Sequence, residues 1–270
     1  MTGTVCVTGM HRSGTSLAAR CLGILGFDLG LDGALMAPGP DNTSGYWELK
    51  LLKEFNDSLL AELGGSWDRP PPLEPGWEEA PELDRFRDEG REVWVQCFGS
   101  EQTDSRPRAF KDPRCSVLLP FWRTVVDISA TVSIIRHPLE VVRSLERRNA
   151  FDVAHSSALW LRYVLAAAHD DPDRLVVSQA SLVTEPEGCL RQIAQHTSMP
   201  EPSEAQLDEV GAHIDGGLVH HHAERDGLEH PDPLFELAFE VWNEGHLDPD
   251  RIDATLRELI GRGHLVPGGS

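Results

Sequence analysis

Lysine is almost missing from this chain: Lys50, Lys53 and Lys111 are the only three in 270 residues, and the other 21 basic side chains are Arg. Basic charge as a whole is scarce, 24 Lys and Arg against 44 Asp and Glu, for a formal net charge of -20. Such a surface repels polyanions, so duplex nucleic acid and heavily sulfated polysaccharide are not expected as partners. A pocket where a few Arg side chains converge can still hold an anion. Long apolar runs are missing too: none approaches the roughly 18 residues that cross a bilayer, so no transmembrane segment is expected. Met1–Val7 carries no basic region, apolar core or small-residue cleavage site, which predicts a cytoplasmic protein. The cysteines, Cys6, Cys21, Cys97, Cys115 and Cys189, are odd in number and lack metal-ligand spacing, so reduced and mostly buried thiols are expected. There is no internal repeat.

Hydrophobic residues at 40% and charged residues at 25% are ordinary for a folded globular chain, and the length fits one domain over 1–270. Thr4–Thr8 reads as a strand, followed through a Gly-containing loop by a helix with apolar Leu17, Cys21, Leu22 and Leu25. A second helical stripe runs Trp47, Leu51, Leu52, Phe55, Leu59, Leu60 and Leu63, and stops at Gly64–Gly65. Residues 64–82, rich in Pro, Trp and acid, predict a long connection of the kind that lines pockets. Ala109–Lys111 and Thr131–Ile135 read as strands, each followed by a helix, over Val117–Val126 and from Pro138. Leu175–Ser178 adds a strand with a helix after Glu185, and further helices are expected at 203–213, 233–244 and 249–261. Strands alternating with helices predict an α/β fold: a parallel sheet flanked by helices, with a helical C-terminal part.

Gly9-Met10-His11-Arg12-Ser13-Gly14-Thr15-Ser16 has the glycine spacing of a phosphate-binding loop, and it stands where that loop must stand, between a strand and a helix. Glycines let successive N–H groups face one anion, and the helix N-terminus adds its positive end. An NTP-binding loop carries Lys directly after its second Gly; here that residue is Thr15, and the cation is Arg12 instead.

A cation followed by Ser-Gly-Thr resembles the 5′ loop of sulfotransferases that use 3′-phosphoadenosine 5′-phosphosulfate. Residues Asn42 to Glu48 resemble an Asn-x-x-Gly-Tyr-aromatic-Glu element, and Lys111-Asp112-Pro113-Arg114 a Lys-Asp-Pro-Arg element, of bacterial members. Arg136, with Ser144 eight residues on, resembles the family's 3′-phosphate motif. Leu182–Ala194 is similar to a later segment, although Gln179-Ala180-Ser181-Leu182 stands where Tyr-Glu-Asp-Leu is usual. The likeness spans roughly 4–200 and implies a P-loop-like sheet and metal-independent transfer of a sulfuryl group to a hydroxyl, less readily an amine. It also implies 3′,5′-adenosine bisphosphate as product. A small-molecule, lipid or glycoside acceptor suits the acidic surface, and a homodimer is left open.

The resemblance gives Gly9, Arg12, Ser13, Gly14, Thr15 and Ser16 to the donor's 5′ end and Arg136 and Ser144 to its 3′-phosphate, with Arg143 as helper. Arg225, in an expected long loop over 215–232, adds a late cation. Lys111 is given charge stabilisation and Glu48 proton removal, with His11 and Asp112 as alternative bases and Arg12 as a further catalytic cation. Plain structural readings stand beside these: Glu48 as a helix-N-terminal carboxylate, Lys111 as a partner of Asp112, Arg136 as a surface salt bridge. The run His220-His221-His222, with His213 and His230, predicts a solvated loop rather than a metal site, because adjacent imidazoles seldom converge. Trp67 and Trp77 are either core rings or acceptor walls. A small-molecule kinase, or a nucleotide-binding protein without turnover, are the competing functions.

Overall fold

The computed structural model describes residues 3–37, 39, 45–100, 106–213 and 233–244, together with 250–251, 254–255 and 257. Four strands, β1 (Thr4–Thr8), β2 (Arg108–Lys111), β3 (Ile128–Ile135) and β4 (Leu175–Ser178), form one parallel sheet in the order β2-β1-β3-β4. The fold class is therefore the expected α/β with a helix-flanked parallel sheet. All five residues of β1 are buried, as a central strand covered on both faces requires. Alternation along it divides the core. Cys6 faces the same way as Phe110 and packs with α2 (Lys50–Glu62), α3 (Asp84–Phe98) and α4 (Cys115–Val125). Val5 and Val7 face α1 (Thr15–Ile24), joined there by Leu190 and Ile193.

A third apolar cluster joins α5 (Pro138–Asn149), α6 (Val153–Asp170) and α10 (Pro233–Glu244). Every residue of α6 from Ser156 to Ala168 is buried, so the helix is enclosed rather than laid on a surface. Two short helices, α7 (Gln179–Thr184) and α8 (Pro186–His196), follow β4, and α9 (Glu204–His213) packs on α8. All five cysteines are buried and free. No helix among the described residues is long and apolar enough to cross a membrane.

Three sequence expectations need correction. The second helix begins at Lys50, so neither Trp47 nor Glu48 is helical. Trp47 takes a left-handed φ of 54°, and the chain then runs extended, with Leu49 bridged to Leu35 and the Glu48 carbonyl accepting from the Met36 N–H at 2.8 Å. Residues 64–82 are more ordered than a plain connection: Ser66 and Arg69 pair, and 3-10 turns span Trp77–Glu79 and Pro81–Leu83. Helices α3, α6 and α7 have no counterpart in the expected element list. The expected 215–232 loop, with Arg225, His220–His222 and His230, lies outside the described residues. The described residues of the 249–261 helix are helical.

Candidate functional site

In a parallel sheet every strand delivers its chain to the same edge, and ligands gather where neighbouring connections diverge. Here the chain leaves β1 toward β2 on one side and returns to β3 on the other, so a crevice opens at the carboxyl end of β1. The loop Gly9–Ser16 occupies that point. Gly9 has φ 141° and passes so close to the Ile134 carbonyl that any Cβ would collide with it. Its N–H is held by Ser116 Oγ of α4 at 2.8 Å. Arg12 adopts a left-handed φ of 69° and Gly14 one of 88°, which turns the chain into α1 without a side-chain cap on the helix. Among the described residues the buried Ser13 hydroxyl has no hydrogen-bond partner.

Arg12 and Arg136, 124 residues apart, meet across this crevice. Arg136 Nη1 donates to the Arg12 carbonyl at 2.9 Å, while Arg12 Nε donates to Ser144 Oγ at 3.0 Å. Arg136 Nε is also paired with Glu140 at 2.6 Å, one turn into α5. Pro138 starts that helix and places Ser144 on its buried side. The Trp160 indole N–H fixes the Arg136 carbonyl at 2.9 Å. The two halves of the site inferred from separate motifs are thus directly connected.

At the end of β2, Lys111 is 2% exposed and therefore needs a partner. That partner is Glu48, with Nζ to Oε1 at 2.5 Å, and not Asp112. Burial pushes the Glu48 carboxyl up against the opposing pull of Lys111. The same burial lowers the Lys111 ammonium against the pull of Glu48. Asp112 is fully buried and accepts from Asn56 at 3.1 Å and from the Arg114 backbone and guanidinium, both at 2.9 Å. It anchors Arg114 and does not line the cleft, which leaves it badly placed as a base. His11 packs against Trp67 in a tilted contact at a centroid distance of 4.6 Å, and its buried Nε2 has no hydrogen-bond partner among the described residues. Burial, then the neighbouring Arg114, Lys111, Arg148 and Arg12, hold its imidazole well below the usual range.

Around these groups lies an open cleft of about 640 Å³. It is lined by His11, Arg12, Gly14, Thr15, Ser16, Glu48, Lys111, Arg136 and Ser144, while Gly9 and Ser13 of the same loop are not among the lining residues. Trp67 lines it as well; Trp77 packs against the core instead, and Arg143 is not among the lining residues. Sequence reasoning missed Arg20, Lys53, Arg147 and Arg148, and gave Arg114 no role. For the α5 pair a signal existed: Arg147 and Arg148 follow Ser144 at i+3 and i+4, on one helix face. Arg20 lies over the Trp47 ring at 5.6 Å. The lining holds eight basic side chains against two carboxylates, Glu48 and Asp57, in a chain whose net charge is -20. Among the described residues no group of three or more His, Cys, Asp or Glu could hold a metal ion.

No protein-family model and no curated protein matches the chain. Solved structures similar to it include the sulfotransferase domain of a Synechococcus olefin synthase, 18% identical with a TM-score of 0.47, covering 96% of this chain and 93% of that one. A sulfotransferase from Mycobacterium avium is 14% identical with a TM-score of 0.47, over 97% of this chain and 77% of the other. Retinol dehydratase, solved with androsterone and the inactive cofactor PAP, is 15% identical with a TM-score of 0.35, over 78% of this chain and 64% of its own. At these scores the likenesses carry no assignment.

Proposed function

We propose that the chain transfers a sulfuryl group from 3′-phosphoadenosine 5′-phosphosulfate to a hydroxyl of a small-molecule, lipid or glycoside acceptor. One observation carries this reading: the Gly9–Ser16 loop and the side chains of Arg136 and Ser144, linked through Arg12, share a cationic cleft with a buried Lys111–Glu48 pair. A nucleotide charged at both its 5′ and 3′ positions matches two ends; a nucleoside triphosphate has no group for the second. Thr15 also stands where an NTP-binding loop has Lys.

The residues fit such a donor. The N-terminus of α1, without a side-chain cap, offers its first N–H groups to an anion. Arg136 and Ser144 would hold the 3′-phosphate through charge-assisted bonds. The donor supplies the sulfuryl group; the protein supplies position and charge. Lys111 meets negative charge that develops on the bridging oxygen, and its compact ammonium can follow that charge better than a planar guanidinium. Glu48 takes the acceptor's proton, a task suited to a carboxylate whose proton affinity burial has raised. Trp67 and His11 form one wall beside that pair, where an acceptor would approach.

Calorimetry tests the donor assignment. 3′,5′-Adenosine bisphosphate is expected to bind at least about tenfold more tightly than Mg-ADP, with the advantage lost in Arg136→Ala. Equal affinities, or an unaffected mutant, would overturn it. Donor-dependent mass shifts among candidate acceptors then separate an enzyme from a protein that only binds the nucleotide.

A further inference from the structure

The charges that line the cleft divide by element. Glu48 before α2, Lys53 and Asp57 on it, and Lys111 and Arg114 after β2 form one set with the buried Asp112, in which three cations meet three carboxylates. All are paired: Lys111 with Glu48 at 2.5 Å, Lys53 with Asp57 at 2.7 Å, and Arg114 with Asp57 at 2.5 Å and with Asp112 at 2.9 Å. The five remaining cations of the lining, Arg12, Arg20, Arg136, Arg147 and Arg148, stand on the phosphate loop, on α1 or between the end of β3 and the end of α5. The positive surplus thus belongs to the elements that would hold the donor's phosphates, and the side carrying Lys111 and Glu48 is neutral. On that neutral side Arg114 is held from two directions, with its side chain 5% exposed. Nε donates to Asp57 and Nη1 to Asp112, whose other oxygen is fixed by Asn56, itself tied to the Trp122 indole N–H. Nη2 is left without a partner among the described residues and is not sealed in the core, so it opens on the cleft that Arg114 lines. The Arg114 charge bears on Glu48, Lys111 and His11, which sets it beside the reacting pair and the Trp67 wall.

We infer that the acceptor is an uncharged glycoside and that Arg114 selects it, Nη2 holding a hydroxyl next to the one that reacts. A guanidinium whose charge is already met by two carboxylates adds little pull on an anion, yet its remaining N–H groups still bond a neutral oxygen. A donor fixed in advance beside the base favours a second oxygen close to the first, which a sugar ring supplies and a simple alcohol or fatty chain does not. The Trp67 ring in the same lining gives the apolar face of such a ring a surface to pack on. The inference rests on the donor reading above and narrows its acceptor. In the step itself the reacting sugar oxygen bonds to sulfur as the bond from sulfur to the bridging oxygen of the 5′-phosphate breaks. The hydroxyl proton passes to Glu48, and 3′,5′-adenosine bisphosphate leaves with the bonding pair.

The test compares turnover of 3′-phosphoadenosine 5′-phosphosulfate by the unmodified protein with methyl glycosides of the common hexoses, with the corresponding glycosiduronic acids and with cyclohexanol. The best methyl glycoside should exceed both its uronic acid and cyclohexanol by at least about tenfold in kcat/KM. Arg114→Lys keeps a cation beside Asp112 but lacks Nη2; it should raise the glycoside KM by about tenfold, more than it changes kcat, with bisphosphate affinity retained. Equal or faster turnover of the uronic acids or of cyclohexanol, or turnover of no methyl glycoside, overturns the inference, and this comparison stands whether or not the variant folds. A glycoside KM that does not move in an Arg114→Lys protein of normal melting temperature overturns the role of Arg114. In each of these cases bisphosphate binding to the unmodified protein keeps the donor reading in place; its absence overturns that reading and this inference together.

Discussion

The Lys111–Glu48 pair is buried, and burial works against both charges at once. This has a consequence for the pH dependence of transfer. On the proposed role of Glu48 as base, its ionised form does the work, so the rate should rise with pH through a value displaced above the ordinary carboxylate range. It should fall again as Lys111, displaced below the ordinary lysine range, loses its proton. Glu48→Gln is expected to abolish the acidic limb and slow the single-turnover rate by at least about a hundredfold, with bisphosphate affinity little changed. An acidic limb that survives in the variant would move the base to another group that faces the cleft, His11 or Asp57. These residues were legible because ordered motifs name them. Asp112 was misread as a candidate base for a physical reason: motif order gives proximity, but only three-dimensional packing reveals that Asn56 and Arg114 already occupy its carboxylate. Arg20 and Lys53 gave no such signal, since each is a surface-type residue on a helix until the fold turns it to the cleft.

Among the elements, β1, β4 and α10 were read at their observed bounds, because short β-branched runs and a Pro-led amphipathic helix carry strong local signals. α6 was not anticipated. A helix buried on every side lacks the one-sided stripe by which helices are recognised, and its Ala and Leu run offers no polar face. α3 hides differently, with charges through its length and Gly90 in its interior, where the glycine admits Phe55 and Val125 at 3.4 Å from a would-be Cβ. One contact between elements matters to the site: Ser116 of α4 holds the Gly9 N–H. Ser116→Ala leaves that buried donor unpaired, at a cost of about 1–3 kcal/mol. Denaturant unfolding should register the loss, and bisphosphate affinity should weaken with it as the loop loosens.

At the scale of the molecule, acidic self-repulsion and a basic cleft oppose each other. Salt screens both, so it should act with opposite signs on two observables. Raising ionic strength relieves the repulsion and should raise the melting temperature of the free protein, while it weakens bisphosphate binding. Melting curves and calorimetry over one salt series would test this, and parallel trends would refute it. The chain's charge excess is plain in its composition; that eight cations collect in one cleft follows only from the strand order that brings distant segments to one edge. The bond from Arg136 to the Arg12 carbonyl, with Arg12 in turn on Ser144, gives that edge a further property. On the donor reading proposed above, it would act as a single receptor for a two-headed ligand, not as two seats that happen to be adjacent. Damage at either head is felt at the other, so substitutions of Arg12, Arg136 and Ser144 will not sum as independent losses.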